Sequence, residues 1–276
     1  MTTLSAAGTG AARRSAAPRR RIGARQGLQN ALTLAWRNVT QLRHSPEKLM
    51  DVTLMPIVFL LLFLYVFGAA VAGSTHAYLE QLLPGLVAQM AMFATVGLGS
   101  ALCQDIHKGV FDRLRSLPIA RPAPLIGAAL GETVRFCVVM AVLTGFGSAL
   151  GFRFHTGPLS VLAAFALAYV FYEAVCWIPI IIGLVVPTPE TVQGISFLAM
   201  LPLTFGSSVL LANTSTMPGW LQAWVRVNPV TALADSVRAL TVGGPVGPHV
   251  LYTLAWAAGI IAVMFPLAMR MYRRRV

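Results

Sequence analysis

Residues 52–72 of this chain are VTLMPIVFLLLFLYVFGAAVA, a run of 21 residues without a charged side chain. The hydrocarbon core of a bilayer is about 30 Å thick, and a helix of about 20 apolar residues spans it. Because lipid offers no hydrogen-bond partners to the backbone, such a run is stable there as a helix or in a closed barrel. The segment therefore predicts a transmembrane helix.

Further apolar runs follow, and 57% of the 276 residues are hydrophobic while 11% are charged. A soluble domain carries roughly 25% charged residues. The six predicted spans are Val52–Ala72, Leu82–Gln104, Ile126–Leu150, Leu159–Val186, Val192–Leu211 and Val250–Met269. No long polar interval separates them, so we predict one all-α membrane domain over residues 28–276, after a disordered basic tail over residues 1–27.

The basic residues predict the orientation. With six spans, 17 of the 21 lysines and arginines fall on one side of the membrane, three on the other, and Arg135 within a span. Because cytoplasmic segments carry the excess of Lys and Arg, both termini of this multi-pass protein are expected on the cytoplasmic side of the cell membrane. The net charge is +12, and we expect the basic residues to contact anionic lipid headgroups rather than nucleic acid.

The segment Leu28–Met50 precedes the first span and has apolar residues at helical spacing, with Trp36 beside Arg37. A helix in the headgroup layer places aromatic residues at the boundary and arginines toward phosphate. We therefore predict an interfacial helix that includes Trp36, Arg37 and Arg43. An ordinary cytosolic tail is the alternative.

The connection Asp105–Pro124 is the main loop on the basic side. Phe111, Leu114 and Leu117 lie at i, i+3 and i+6, so a short helix here would present one apolar edge flanked by charge. Such an edge suits docking into a groove of a partner protein. A solvated loop is the alternative.

Before the last span, Asn228-Pro229 predicts a turn, an apolar stripe predicts a short helix, and Gly243 with the two residues after it ends that helix. Asp235 and Arg238 lie off the stripe. The stripe consists of Val230, Leu233, Ala234, Val237 and Leu240. Such a helix lies in the interface or dips back into the protein, and a simple surface loop is the less favoured alternative.

Charged residues also fall inside predicted spans: Glu132 and Arg135 in the third and Glu173 in the fourth. Charges within a bilayer are costly and are commonly functional. Glu132 and Arg135 either form an ion pair along the helix or take part in substrate binding or in energy coupling. Glu173 shows no partner in the sequence, so a functional carboxylate and a group that is protonated or bonded to a neighbouring helix both stay open.

The sequence contains no GxxxxGK[ST] phosphate loop, no nucleophile elbow and no HExxH motif. The cysteines at 103, 137 and 176 lie in apolar runs without ligand spacing, which favours free, buried thiols. We therefore expect no enzymatic activity, metal or cofactor in this chain, and an energy source on another chain.

Three stretches resemble type-2 ABC transporter permeases, closest to daunorubicin-resistance-type drug and lipid exporters of actinobacteria. The first runs from Trp36-Arg37-Asn38 to Pro46, and the second is the loop Gly109–Pro118. The third, Asn228–Gly244, is similar to the family pattern NP.T...(D/E)..R.L..GG. Leu150–Phe154 adds support, and the resemblance covers residue 28 to the end.

The resemblance implies a half-transporter, in which two permeases, identical or sister subunits, join two ATPase subunits that bind ATP and magnesium. It implies that an amphipathic drug or lipid leaves the cytoplasm or inner leaflet. The implied residues of the ATPase-coupling helix are Asp105, Lys108, Phe111, Asp112, Arg113, Leu114, Arg115, Leu117 and Arg121. Those of the extracellular re-entrant helices are Asn228, Pro229, Asp235, Arg238 and Gly243.

Other functions stay open from the sequence alone. They are export of a polar glycan, a membrane enzyme acting on lipid, and a scaffold without transport. Few charges in the predicted spans favour a hydrophobic or amphipathic ligand over a sugar chain. An enzyme would need an intramembrane catalytic cluster, which Glu173 alone does not provide.

Overall fold

The computed structural model describes residues 46–109, 123–210 and 217–275, and all regular structure in these ranges is helical. This confirms the predicted all-α class. The helices are α1 (Pro46–Ala72), α2 (Thr75–His107), α3 (Ala123–Gly131), α4 (Thr133–Ala149), α5 (Pro158–Val175), α6 (Trp177–Val185), α7 (Pro189–Phe205), α8 (Gly219–Val227), α9 (Pro229–Thr241) and α10 (Gly247–Arg275).

Helix α2 is the centre of the bundle. The side chain of Ser74 caps its first turn by accepting a hydrogen bond from the N–H of Ala77 at 3.2 Å. The helix packs against α1, α4, α5, α6, α7 and α9, and 78% of its most apolar stretch is buried inside the protein. The corresponding value for α10 is 11%, so α10 lies at the periphery and turns its apolar surface outward.

Glycines allow α2 and α6 to cross backbone to backbone. A Cβ atom on Gly99 would overlap the carbonyl oxygen of Pro179, and a Cβ atom on Gly183 would overlap the carbonyl oxygen of Gly99. Small residues at such crossings are common in membrane bundles, where close van der Waals packing drives helix association. The contact fixes α6 against the central helix.

Two predicted spans are interrupted helices. The third consists of α3 and α4, and a tight turn separates them in which the N–H of Glu132 bonds to the carbonyl of Ala129 at 3.1 Å. The fourth consists of α5 and α6, with Cys176 between them. Pro179 has no N–H to donate to the carbonyl of Val175, which explains the break there. Hydropathy predicted continuous helices because its average over each span stays high despite the charged residues near the breaks.

Among the described residues, four segments are long and apolar enough to cross a membrane: Thr75–His107, Leu125–Ala149, Pro158–Val185 and Gly247–Tyr272. They correspond to the second, third, fourth and sixth predicted spans. The first predicted span lies on α1, where the apolar part Thr53–Gly68 is shorter. The fifth predicted span lies on α7, whose 17 residues extend about 26 Å, which is less than the roughly 30 Å of the hydrocarbon core. Six spans therefore stay a prediction.

The structure corrects some local predictions. Helix α1 begins at Pro46, and α2 continues to His107, so Asp105 lies in a helix rather than in a loop. Hydropathy marks the expected bilayer and not the helix end, which explains these differences. Cys103 and Cys176 are buried as expected, whereas Cys137 is exposed on the outward side of α4.

We expect Gly99→Ala to destabilise the protein, because the added methyl group would meet the carbonyl of Pro179. Overpacking of this kind costs about 1 to 3 kcal/mol, and the thermal midpoint of the detergent-purified protein measures it. Gly145→Ala in α4 is the matched control, since nothing lies within 4 Å of its added Cβ. Equal midpoints for the two variants would contradict the close crossing.

Candidate functional site

Asn228 joins the start of α9 to the end of α7. Its side-chain oxygen accepts a hydrogen bond from the N–H of Val230 at 2.9 Å and so caps α9. Its amide nitrogen donates to the carbonyls of Leu203 at 2.8 Å and Gly206 at 2.7 Å. Pro229 is the first helical residue, where a missing N–H has no cost. The Asn-Pro pair therefore works as a cap and as a tether.

The apolar stripe of α9 is buried against α2, α5 and α10. Its members are Val230, Leu233, Ala234, Val237 and Leu240, and none is more than 7% exposed. Gly243 follows with φ 117°, a conformation that favours glycine. A buried helix thus lies where the stripe predicted a short helix, and the bundle encloses it on three sides.

Asp235 and Arg238 form an ion pair on α9. The guanidinium Nη1 lies 2.7 Å from Oδ1 of Asp235, and the two side chains are 29% (Asp235) and 17% (Arg238) exposed. Ser208 donates its hydroxyl to the same carboxylate oxygen at 2.8 Å. Arg238 also donates to the carbonyls of Ser208 at 3.2 Å and Gln81 at 3.3 Å. This α9 network connects α9, the segment after α7 and the first part of α2.

A second polar group, which we call the α4–α5 cluster, contains the charged residues expected inside spans. The hydroxyl of Tyr172 donates to Oε2 of Glu132 at 3.4 Å. The hydroxyl of Thr133 lies 2.9 Å from that of Tyr169 and donates to Oε1 of Glu173 at 3.5 Å. Glu173 is therefore hydrogen-bonded to a neighbouring helix, one of the alternatives that the sequence left open.

Arg135 and Phe136 extend the α4–α5 cluster. A Cβ atom on Gly97 of α2 would lie 3.0 Å from Nη1 of Arg135, so the guanidinium lies against the backbone of α2. The ring centroid of Phe136 is 5.6 Å from that of Tyr169 and 5.1 Å from that of Tyr172. Sequence reasoning missed Phe136 and Tyr169, although the spacing of Tyr169 and Glu173 at i, i+4 was a usable signal.

Of the residues predicted to contact an ATPase, the structure describes two. Asp105 lies in the last turn of α2, and Lys108 is the C-cap of that helix, with its N–H bonded to the carbonyl of Gln104 at 2.9 Å. Phe111, Asp112, Arg113, Leu114, Arg115, Leu117 and Arg121 lie outside the described residues, as do Trp36, Arg37 and Arg43 of the predicted interfacial helix.

The chain belongs to the ABC-2 type transporter family, whose model matches residues 29–242. The matched region contains the bundle around α2, the α4–α5 cluster and the α9 network. Membership makes the chain an integral membrane permease subunit rather than an enzyme, and it implies an ATP-binding cassette ATPase on a separate chain.

Several similar proteins are permeases named for drug resistance. The chain is 43% identical over 244 residues to the daunorubicin resistance ABC transporter permease protein DrrB1 of Streptomyces coeruleorubidus, which covers 88% of this chain and 86% of the relative. It is 28% identical over 222 residues to the probable doxorubicin resistance ABC transporter permease protein DrrC of Mycobacterium tuberculosis, with 80% and 79% covered.

We expect Arg238→Met to lower the thermal midpoint of the purified protein. The substitution removes the hydrogen bonds to Gln81 and Ser208 and leaves the carboxylate of Asp235 without its cation. We expect a loss of about 2 to 3 kcal/mol, less than for a fully buried pair. Arg226→Met is the control, because Arg226 is exposed on α8. Equal midpoints in the two variants would show that the α9 network does not stabilise the fold.

Proposed function

We propose that this chain is the permease subunit of an exporter of an amphipathic drug. The observation that carries the proposal is the 43% identity to a daunorubicin resistance permease over 86% of that relative's length. The apolar helices support it, because they offer an environment for a hydrophobic molecule and few groups for a polar one. Relatives of both mycobacterial types, DrrC and DrrB, are consistent with it.

We further propose six transmembrane spans, which add α1 and α7 to the four segments that meet the length criterion. The charge split supports this topology, because an even number of spans brings the basic segments to one side. The basic side faces the cytoplasm, and both termini of the chain lie on that side of the cell membrane. Membrane lipids then surround α1 and α10, which carry exposed apolar residues such as Tyr65, Leu62 and Leu251.

Helices α8 and α9 form the re-entrant hairpin of this proposal, on the extracellular side. Trp220 and Trp224 of α8 are 74% and 45% exposed, as expected for indole rings at a membrane interface. Helix α9 is buried, and Asn228 makes the turn between them. The α9 network then holds the hairpin over the first part of α2.

The ATPase docks on the opposite side, at the loop that follows α2. Asp105 and Lys108 mark where that loop begins, and the predicted apolar edge of Phe111, Leu114 and Leu117 supplies the contact. A second permease, either a copy of this chain or a sister subunit, completes the transporter. ATP and magnesium bind to the ATPase subunits and not to this chain.

Transport by the reconstituted complex tests the function. Proteoliposomes with the permease and its ATPase are supplied with ATP and daunorubicin, and drug movement across the bilayer is followed. We expect ATP-dependent movement that is lost when the ATPase carries a substitution of its phosphate-loop lysine. Movement of labelled phospholipid or of a lipid-linked glycan in place of the drug would contradict the drug assignment.

We expect the double substitution Arg113→Glu and Arg115→Glu to prevent ATPase docking, because it reverses two charges beside the apolar edge. Co-purification of the ATPase with affinity-tagged permease measures the effect. The control is Arg226→Glu on α8, predicted on the opposite side of the membrane. If the ATPase co-purifies equally with the wild type, the double variant and the control, the segment after α2 is not the docking site.

A further inference from the structure

The loop of residues 150–157 connects α4 to α5 and caps the C-terminal end of α9. The backbone N–H of His155 donates to the carbonyl of Thr241 at 3.0 Å, and the hydroxyl of Thr156 donates to the carbonyl of Leu240 at 2.6 Å. The last carbonyls of a helix have no partner within that helix. The 150–157 loop supplies these partners from a distant part of the sequence, so the end of α9 is fastened to the loop.

The side chain of the same histidine contacts α2. Nε2 of His155 lies 3.3 Å from Oε1 of Glu80, and the two side chains are 46% (His155) and 27% (Glu80) exposed. The next residue of α2, Gln81, accepts a hydrogen bond from Arg238 in the last turn of α9. Two successive residues of α2 are therefore joined to the end of α9, one directly and one through the 150–157 loop. These contacts form a closed ring.

One link of this ring depends on pH. Histidine is the side chain that ordinarily changes charge between about pH 5 and 8. The contact of His155 with Glu80 is an attraction between opposite charges when the imidazole is protonated, and it is at most a neutral hydrogen bond when the imidazole is not. The other links use backbone groups, a hydroxyl and an arginine, and arginine stays protonated in proteins.

Other titratable side chains lie on the elements around this pair. The ring of His76 on α2 lies against the same loop, because a Cβ atom on Gly151 would be 3.6 Å from its Cδ2. The charged residues of α4 and α5, Arg135 and Glu173, lie near the other ends of these helices. The remaining groups to consider are Arg153 on the loop, Asp235 and Arg238, which pair with each other on α9, and His249 at the start of α10. His76 and His249 therefore have to be separated from His155 by experiment.

We propose that His155 and Glu80 form a proton-dependent latch that holds the C-terminal end of α9 against α2. The latch is firm when the imidazole is charged and loosens as the pH rises and the charge is lost. Both are positioning residues, because they act on α9 through the 150–157 loop. In the proposed topology this end of α9 faces the outside, so the acidity of the medium would set how firmly the hairpin of α8 and α9 is held. Only that placement rests on the proposed function.

Hydrogen exchange at the amide of His155 measures the latch, because this N–H is released when the loop leaves Thr241. The full-length protein in phosphatidylcholine nanodiscs is compared at about pH 5.5 and about pH 8. Each rate is divided into the intrinsic rate of the same sequence in an unfolded peptide, which gives a protection factor at each pH. We expect protection to be about threefold greater at the acidic pH, since an ion pair of partly exposed groups has a modest effect. Equal protection at the two pH values would overturn the proposal.

Two substitutions distinguish a charge effect from a structural one. Glu80→Gln keeps the shape of the side chain and removes its charge, so it should lower the protection at the acidic pH to the value at the basic pH. His155→Lys carries a positive charge at both pH values, so it should keep the higher protection throughout. If protection still changes about threefold with pH in both variants, other groups cause the change and the latch is refuted.

His76→Gln and His249→Gln are the matched controls, and both should keep the threefold change with pH. Loss of the change in either one would assign the titration to that histidine and contradict the role of His155.

Thr156→Val tests the ring without altering a charge. It removes the donor to Leu240, so it should lower protection about fivefold at both pH values and preserve the ratio between them. Unchanged protection would contradict the linked contacts. The measurement uses no drug, no ATPase and no defined orientation, so a failed transport assay contradicts the exporter alone, whereas protection that is independent of pH contradicts the latch alone.

Discussion

A polar group inside a bilayer must find its partner within the protein, and this requirement organises the bundle. Small hydroxyl residues meet it locally. Thr144, Thr204, Ser236 and Thr241 each donate to the carbonyl four residues earlier, at 2.7 to 3.0 Å. Such bonds leave the helix surface effectively apolar. The charged side chains of Asp235, Arg238, Glu132 and Glu173 cannot be satisfied in this way, and they lie in the α9 network and the α4–α5 cluster, where other helices supply partners.

Packing between the helices follows from the same environment. Lipid tails are as apolar as leucine side chains, so close contact and not the exclusion of water holds membrane helices together. Gly99 and Gly183 let α6 approach the backbone of α2 at one level of the bundle. Gly85 does the same at another level, because a Cβ atom there would overlap the carbonyl oxygen of Val209. The central helix is therefore fixed by contacts that no larger residue allows.

The sequence predicted the elements better than the connections between them. The stripe and the Asn-Pro turn predicted α9 because a helix start and its apolar face are local properties. The contact of Arg238 with the carbonyl of Gln81 spans 157 positions, and no local pattern indicates it. Likewise, Glu173 has no visible partner in the sequence because Thr133 is 40 positions away on another helix. The breaks at Glu132 and Cys176 were missed because hydropathy averaged over a whole span stays high despite the few charged residues near each break.

Helix α2 connects the two ends at which the proposed transporter would act. It is 33 residues long, about 50 Å at 1.5 Å per residue. Its last turn holds Asp105, where the proposed ATPase-docking loop begins, and near its other end Gln81 accepts a hydrogen bond from Arg238 of α9. A movement of the loop would thus reach the α9 network through a single packed helix.

Pro84 lies within α2 close to Gln81, and because proline leaves one carbonyl of the helix unbonded, any bending of α2 is expected at this end. The backbone contacts at Gly99 hold α2 in place about three quarters of the way along the helix, so displacement would be transmitted as a tilt about that crossing.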